Sequence, residues 1–199
     1  MLNTLIRDVW ERLMAPVGRA LGRARISPNA ITVSGVLIQA GAAVLIVDGR
    51  LLVAGLVATA AAFADAFDGA VAKTQGRTSK FGAVLDSTTD RLSDALFFAP
   101  LAWLYGVDPD IPARDEPWVA ALALVALVAS FLVSYVKARA ESLGFECDVG
   151  LAERAERLIL MILGLLLDLV PVALLILAAL SGITLVQRLV HVSAQARAQ

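Results

Sequence analysis

Four aspartates, Asp65, Asp68, Asp86 and Asp90, crowd into residues 63–90 of a chain written largely in Ala, Leu and Val. The first two are three positions apart and the last two four apart, offsets that put each pair on one face of a helix. Ionised carboxylates gathered in an apolar setting repel one another and are costly to desolvate, so protonation or a bound cation has to relieve them. With no His or Cys among them the donors are hard oxygens, which select Mg²⁺, Mn²⁺ or Ca²⁺. Four such groups suit two divalent ions about 3.5–4 Å apart, the arrangement that clamps the attacking and leaving oxygens in phosphoryl transfer. Gly69 directly follows Asp68, and Gly82 precedes Asp86. Each removes a side chain where a bulky ligand could approach the backbone, or where two helices pack closely.

The elements that must hold these residues are apolar helices. The 199-residue chain is 59% hydrophobic with a mean hydropathy of +0.78, well above the apolar fraction of a soluble domain. A spanning helix needs roughly 20 mostly apolar residues, and six stretches qualify, at 29–47, 51–73, 82–105, 117–139, 154–170 and 172–190. The predicted fold is an all-α integral membrane protein with six transmembrane helices, residues 29–199 forming one membrane domain. Ahead of it, residues 1–28 set Leu2, Leu5, Ile6, Val9, Trp10 and Leu13 at helical spacing opposite Arg7, Asp8, Glu11 and Arg12. That pattern predicts an amphipathic helix lying in the interface, or a helical lead-in to the first span. Its charges interrupt any apolar run, so no cleavable signal peptide is expected. The proline-rich stretch VDPDIPARDEPW, 107–118, predicts an extramembrane turn.

Cys147 and His191 are the only residues of their kinds, which excludes an internal disulfide framework and argues against a Cys/His zinc site. Of the 17 Lys and Arg residues, all but Arg50 and Arg114 fall in 1–28, 73–91, 137–157 or the C-terminal stretch. Such asymmetry predicts that both termini and the aspartates face the cytoplasm, with an even number of spans in the cell membrane. Asp68 lies six residues before a hairpin loop near 74–80 and Asp86 six after it. At the rise of a helix, both acidic pairs then sit about 9–15 Å inside the helix ends, at matched depth on antiparallel neighbours. The four carboxylates are expected to converge.

The residues then fall into a recognisable order. Asp65-x-x-Asp68-Gly69-x-x-Ala72-Lys73, eight residues, then Gly82-x-x-x-Asp86-x-x-x-Asp90 resembles the signature of the CDP-alcohol phosphotransferases, D-x-x-D-G-x-x-A-R-x8-G-x-x-x-D-x-x-x-D. The departure is Lys73, where the family usually has Arg; lysine keeps the charge and loses the bidentate fork. The resemblance implies a six-span membrane enzyme, commonly a homodimer, that uses two divalent ions, Mg²⁺ or Mn²⁺. Such an enzyme moves a phosphatidyl-type group from a CDP-linked lipid to an alcohol and releases CMP. By position it implies that Asp65 and Asp86 touch both metals, Asp68 the first and Asp90 the second. Asp90 would also act as general base on the acceptor hydroxyl as it attacks the β-phosphorus of CDP-diacylglycerol. The donor would be held by Asn29, Ala30, Ile31, Thr32, Gly69, Lys73 and Ser79. The NAIT stretch also reads as a helix cap, and both roles can hold together.

The acceptor has to be recognised from outside this signature. Lys137, Arg139, Arg154, Arg157 and Arg188 are expected on the same side as the aspartates. A cationic cluster beside a metal site suits an acceptor that brings its own phosphate, since guanidinium groups grip phosphate oxygens in pairs. Simple anchoring to anionic headgroups is the competing explanation for any one of them. The stretches around these residues, 134–144, 152–158 and 186–189, are similar to those of actinobacterial phosphatidylinositol-phosphate synthases, which implies inositol 1-phosphate as acceptor. On that resemblance Lys137, Arg154 and Arg188 are the foremost phosphate contacts, followed by Arg139 and Arg157. Phosphatidylglycerolphosphate synthase, with glycerol 3-phosphate as acceptor, is the rival within the family. Outside it stand a carboxylate-based ion or proton transporter and a non-catalytic scaffold with a structural metal site. A transporter predicts acidic residues spread along a path through the bilayer, whereas here they gather at one depth. The expected partners are membrane lipids, the two substrates and a second copy of the chain, with no nucleic acid. Cys147 reads as an incidental loop thiol, and His191 as a solvated interfacial side chain.

Overall fold

The computed structural model describes residues 28–75, 79–107, 116–151 and 153–198, the side chains of 28–29 and 65–75 excepted. The expected interfacial helix within 1–27 and most of the proline-rich turn lie outside the described residues. Six helices make up the described chain: α1 (Pro28–Val47), α2 (Leu51–Gln75), α3 (Lys80–Gly106), α4 (Pro117–Ser142), α5 (Arg154–Leu166) and α6 (Val170–Arg197). Three are long and apolar enough to cross a membrane, over Ala30–Val47, Pro117–Ser142 and Val170–Arg197, and Leu51–Ala64 is a shorter apolar helical stretch. Large apolar side chains point outward along them, Leu37 (68% exposed) and Leu175 (58%) among them, as expected where lipid rather than water is the solvent. The described residues are all-helical, and the protein is a multi-pass membrane protein.

Contacts divide the chain into two compact units, Met1–Gly41 with Val57–Ser93, and Ala42–Leu56 with Asp94–Gln199. The first holds the signature aspartates, Asp65 and Asp68 in the second half of α2 and Asp86 and Asp90 in the first half of α3. Ser79 starts α3 by accepting the Gly82 N–H on its Oγ at 2.9 Å, the N-cap bond that satisfies one of the helix's orphan donors. At the head of α1, Pro28 occupies the first helical position, so Asn29 falls inside the first turn and not at its cap. Ile31 and Thr32 of that turn are buried.

In the second unit α4 packs against α6, and α5 against α6. The core is formed by side chains such as Phe98, Leu101, Val119, Met161, Leu165 and Leu174. Small residues set the closest approaches: a Cβ on Gly164 would stand 2.6 Å from Ala173 Cβ, and one on Gly106 2.8 Å from Ala120 Cβ. With lipid outside, such van der Waals contact is what holds helices together. α5 stops at Leu166, earlier than the hydropathy profile suggests. Asp168 turns to a φ of 54°, and Pro171, in the first turn of the next helix, has no N–H with which to extend the previous hydrogen-bond ladder.

The loop after α4 is tied down at both ends. Gly144, at φ 84°, closes α4 by donating to Glu141 O at 3.0 Å while Phe145 N–H reaches Ala140 O at 3.0 Å, the paired bonds of a Schellman end. Further on, Leu151 N–H donates to Thr184 Oγ1 at 3.1 Å. Glu146 and Gln195 bond reciprocally, Glu146 N–H to Gln195 Oε1 at 3.0 Å and Gln195 Nε2 to Glu146 O at 2.6 Å. Cys147, within this loop, is buried. Gly150 has a φ of 146°, and a Cβ there would meet Thr184 Cγ2 at 2.5 Å. Gly150→Ala is therefore expected to lower the thermal unfolding midpoint in detergent, at a cost of about 1–3 kcal/mol. Gly182→Ala, whose new methyl meets nothing within 4 Å, should leave stability within about 0.5 kcal/mol of the parent.

Candidate active site

Asp86 and Asp90 stand one turn apart on α3, Asp86 exposed and Asp90 half-buried. The Asp90 carboxylate, 18% exposed, lies 3.9 Å from Arg91 Nη1, and Arg91 is steadied by a 2.6 Å bond from that nitrogen to Ser87 O. Between the two aspartates, Thr89 turns its hydroxyl back to donate to Leu85 O and Asp86 O, each at 2.9 Å. The side chains of Asp65, Asp68, Gly69 and Lys73 lie outside the described residues, so the expected convergence of both acidic pairs does too. Among the described residues no three carboxylate, His or Cys side chains gather. What α3 supplies fits a hard divalent cation: two carboxylates at helical offset, one reachable from solvent, with no softer donor beside them.

The basic residues divide into distinct kinds. Arg188 is buried at 4% exposure and bonded on two edges: Nη1 donates to Val133 O at 2.7 Å and Nε to Val149 O at 2.9 Å. It thus joins α6 to α4 and to the loop that follows α4. Lys137, one turn past Val133 on α4, places Nζ 2.5 Å from Asp148 Oδ1 and 3.6 Å from Glu141 Oε1. The structure brings Lys137 and Arg188 together around that loop. Arg139 is exposed and leans to Ser142 Oγ at 3.5 Å. Arg154 is the first residue of α5 and half-buried. Arg157, one turn further, is buried at 5% exposure with Nη2 3.3 Å from Asp94 Oδ2.

Sequence reasoning passed over Asp94 and Asp148. Asp94 continues the four-residue spacing of Asp86 and Asp90 along α3, a signal that was present. Asp148 meets Lys137 only through the fold of the loop. His191 is half-buried and lines a groove of about 570 Å³ with Val149, Leu151, Gln187 and Val190.

Residues 25–187 match the family model of the CDP-alcohol phosphatidyltransferases. The chain belongs to this family. It is 40% identical over 197 residues to the phosphatidylinositol phosphate synthase of Corynebacterium glutamicum, covering 96% of this chain and 88% of the relative. To the archaetidylinositol phosphate synthase of Methanothermobacter thermautotrophicus it is 37% identical, covering 96% and 94%. Its fold superposes on the crystal structure of the Mycobacterium tuberculosis phosphatidylinositol phosphate synthase with CDP-DAG bound, with a TM-score of 0.80 and 35% identity over 91% of this chain and 94% of that one. The same enzyme in complex with manganese and citrate gives a TM-score of 0.79 at 35% identity, covering 90% and 88%.

The Arg157–Asp94 pair is largely buried, so removing the guanidinium takes a close counter-charge from the Asp94 carboxylate. Arg157→Gln should cost about 1.5–3 kcal/mol, the scale of a lost hydrogen bond between charged groups, read as a lower unfolding midpoint in detergent. Equal midpoints for the parent and Arg157→Gln would contradict the pairing.

Proposed function

We propose that the chain transfers the phosphatidyl group of CDP-diacylglycerol to inositol 1-phosphate, giving phosphatidylinositol phosphate and CMP. The observation that carries this reading is the family signature, Asp65 to Asp90, in a chain 40% identical over nearly its whole length to a phosphatidylinositol phosphate synthase. In this reading six spans form one membrane domain over 29–199, probing the cytoplasm with both termini and the active site, in the cell membrane and as a homodimer. The donor lies against Asn29 to Thr32, Gly69, Lys73 and Ser79, with Lys73 meeting phosphate oxygens as a point charge and not a fork.

Asp65, Asp68, Asp86 and Asp90 hold two divalent cations, Mg²⁺ or Mn²⁺, which supply charge neutralisation at the diphosphate. Asp90 takes the proton of the acceptor hydroxyl. The hydroxyl oxygen forms its bond to the β-phosphorus, the bond from that phosphorus to the bridging oxygen breaks, and CMP leaves with that oxygen. Lys137, Arg154 and Arg188 face the acceptor's phosphate. Arg154 suits this role because it opens α5, where the helix dipole also favours an anion and disfavours a lone cation. Arg157 and Arg139 complete the cluster less directly, since Arg157 is paired with Asp94.

The test is CMP release from CDP-diacylglycerol by purified protein with Mg²⁺ or Mn²⁺, inositol 1-phosphate competing with free inositol, glycerol 3-phosphate and serine. Inositol 1-phosphate should prevail; preference for glycerol 3-phosphate would replace the acceptor and keep the reaction class. Asp90→Asn should abolish release in a folded protein, and full activity would remove the general base. Arg154→Gln should raise the acceptor KM at least about tenfold, the scale of a lost charged hydrogen bond, with a much smaller effect on the donor KM.

A further inference from the structure

The loop between α4 and α5 carries a carboxylate into the cationic cluster. Asp148 places Oδ1 2.5 Å from Lys137 Nζ, and the next residue, Val149, gives its carbonyl to Arg188 Nε at 2.9 Å. Arg188 also bonds Val133 O, one turn before Lys137 on α4. Asp148 therefore stands beside two of the three residues read above as the acceptor-phosphate contacts. Its carboxyl is held below the usual carboxylate range by the hydrogen bond from the Lys137 ammonium, with the charges of Lys137 and Arg188 adding to it. It is an anion throughout the neutral range.

Two features separate this carboxylate from the rest of the loop. The Asp148 side chain is 83% exposed while that of Lys137 is 33% exposed, so Asp148 can swing into water with little loss. The loop is also fastened independently, by Arg188 at Val149, by Thr184 at Leu151 and by Gln195 at Glu146. The Lys137–Asp148 contact is thus not needed to keep the loop in place.

We propose that Asp148 is an internal stand-in for the acceptor's phosphate: it occupies Lys137 when no acceptor is bound and gives way to the phosphomonoester. The inference rests on Lys137 being an acceptor contact. Its consequence is selectivity. A dianionic phosphate outcompetes a single carboxylate for the ammonium, whereas a neutral polyol offers nothing in exchange and leaves Asp148 where it is.

The experiment is steady-state CMP release with the parent, Asp148→Asn, Lys137→Gln and the double variant, varying inositol 1-phosphate and then CDP-diacylglycerol. Asp148→Asn should lower the acceptor KM about two- to fivefold, the range of an exposed ion pair removed as a competitor, and leave the donor KM in place. The double variant should match Lys137→Gln alone, because without the lysine there is nothing to compete for. If Lys137→Gln raises the acceptor KM but Asp148→Asn leaves it unchanged or raises it, the stand-in is wrong and Asp148 merely positions the lysine. If Lys137→Gln itself leaves the acceptor KM unchanged, the phosphate-contact reading of Lys137 falls and the stand-in with it. Thermal shifts of each variant with inositol 1-phosphate report binding separately from turnover: the larger shift is expected for Asp148→Asn, and an equal or smaller one overturns the proposal.

Discussion

A charge enclosed by apolar helices has to be answered within the protein, because no water is at hand to do it. That constraint organises the second unit. Arg188, almost wholly buried, is answered by two backbone carbonyls, and Arg157 by the carboxylate of Asp94. In both cases the bond crosses between elements distant in sequence, so satisfying the charge also fixes helices and loop to one another. Apolar packing alone would permit helices to slide or rotate, since one leucine surface fits lipid about as well as another. The guanidinium bonds have direction, and they select one register.

The same constraint explains why the five basic residues of the cluster are not equivalent. Counted in the sequence, they are five charges on one side of a membrane protein. In the structure Arg188 and Arg157 commit donors to the protein itself, Arg139 leans on Ser142 at the surface, and Lys137 meets an exposed carboxylate. Arg154 is set apart by its place at the head of α5. Composition could suggest a phosphorylated acceptor; it could not apportion the work, because Arg188 and Arg157 are committed by partners 39 to 63 residues away.

Helix positions were legible in the sequence, and their ends less so. The stretch expected at 172–190 belongs to a helix running Val170–Arg197, since hydropathy marks the part that suits lipid while the backbone ladder continues past it into polar sequence. The stretch expected from 82 begins at Lys80 behind the Ser79 cap, a serine that the family resemblance also implies as a donor contact. The fifth stretch ends early at Leu166, because a leucine run says nothing of the Asp168 turn inside it. The signature aspartates could be read because their spacing is local and periodic. Asp94 extends that spacing by one turn, yet its meaning comes from Arg157, 63 residues on. No periodicity encodes such a pairing.

Arginine and lysine divide the cationic work according to their shapes. A guanidinium is a rigid planar fork whose separate edges can hold two carbonyls at once, which suits Arg188 to a fixed joint between α6, α4 and the loop. An ammonium on a flexible stem has no such preferred plane and exchanges one oxygen partner for another at little cost in geometry. Placing the lysine opposite an exposed carboxylate, and the arginine against buried carbonyls, separates the part of the cluster that holds its shape from the part that can respond. The stiff joint also makes the exchange reversible: because Arg188 keeps the loop beside Lys137 through Val149, Asp148 stays close enough to return whenever the lysine is vacated.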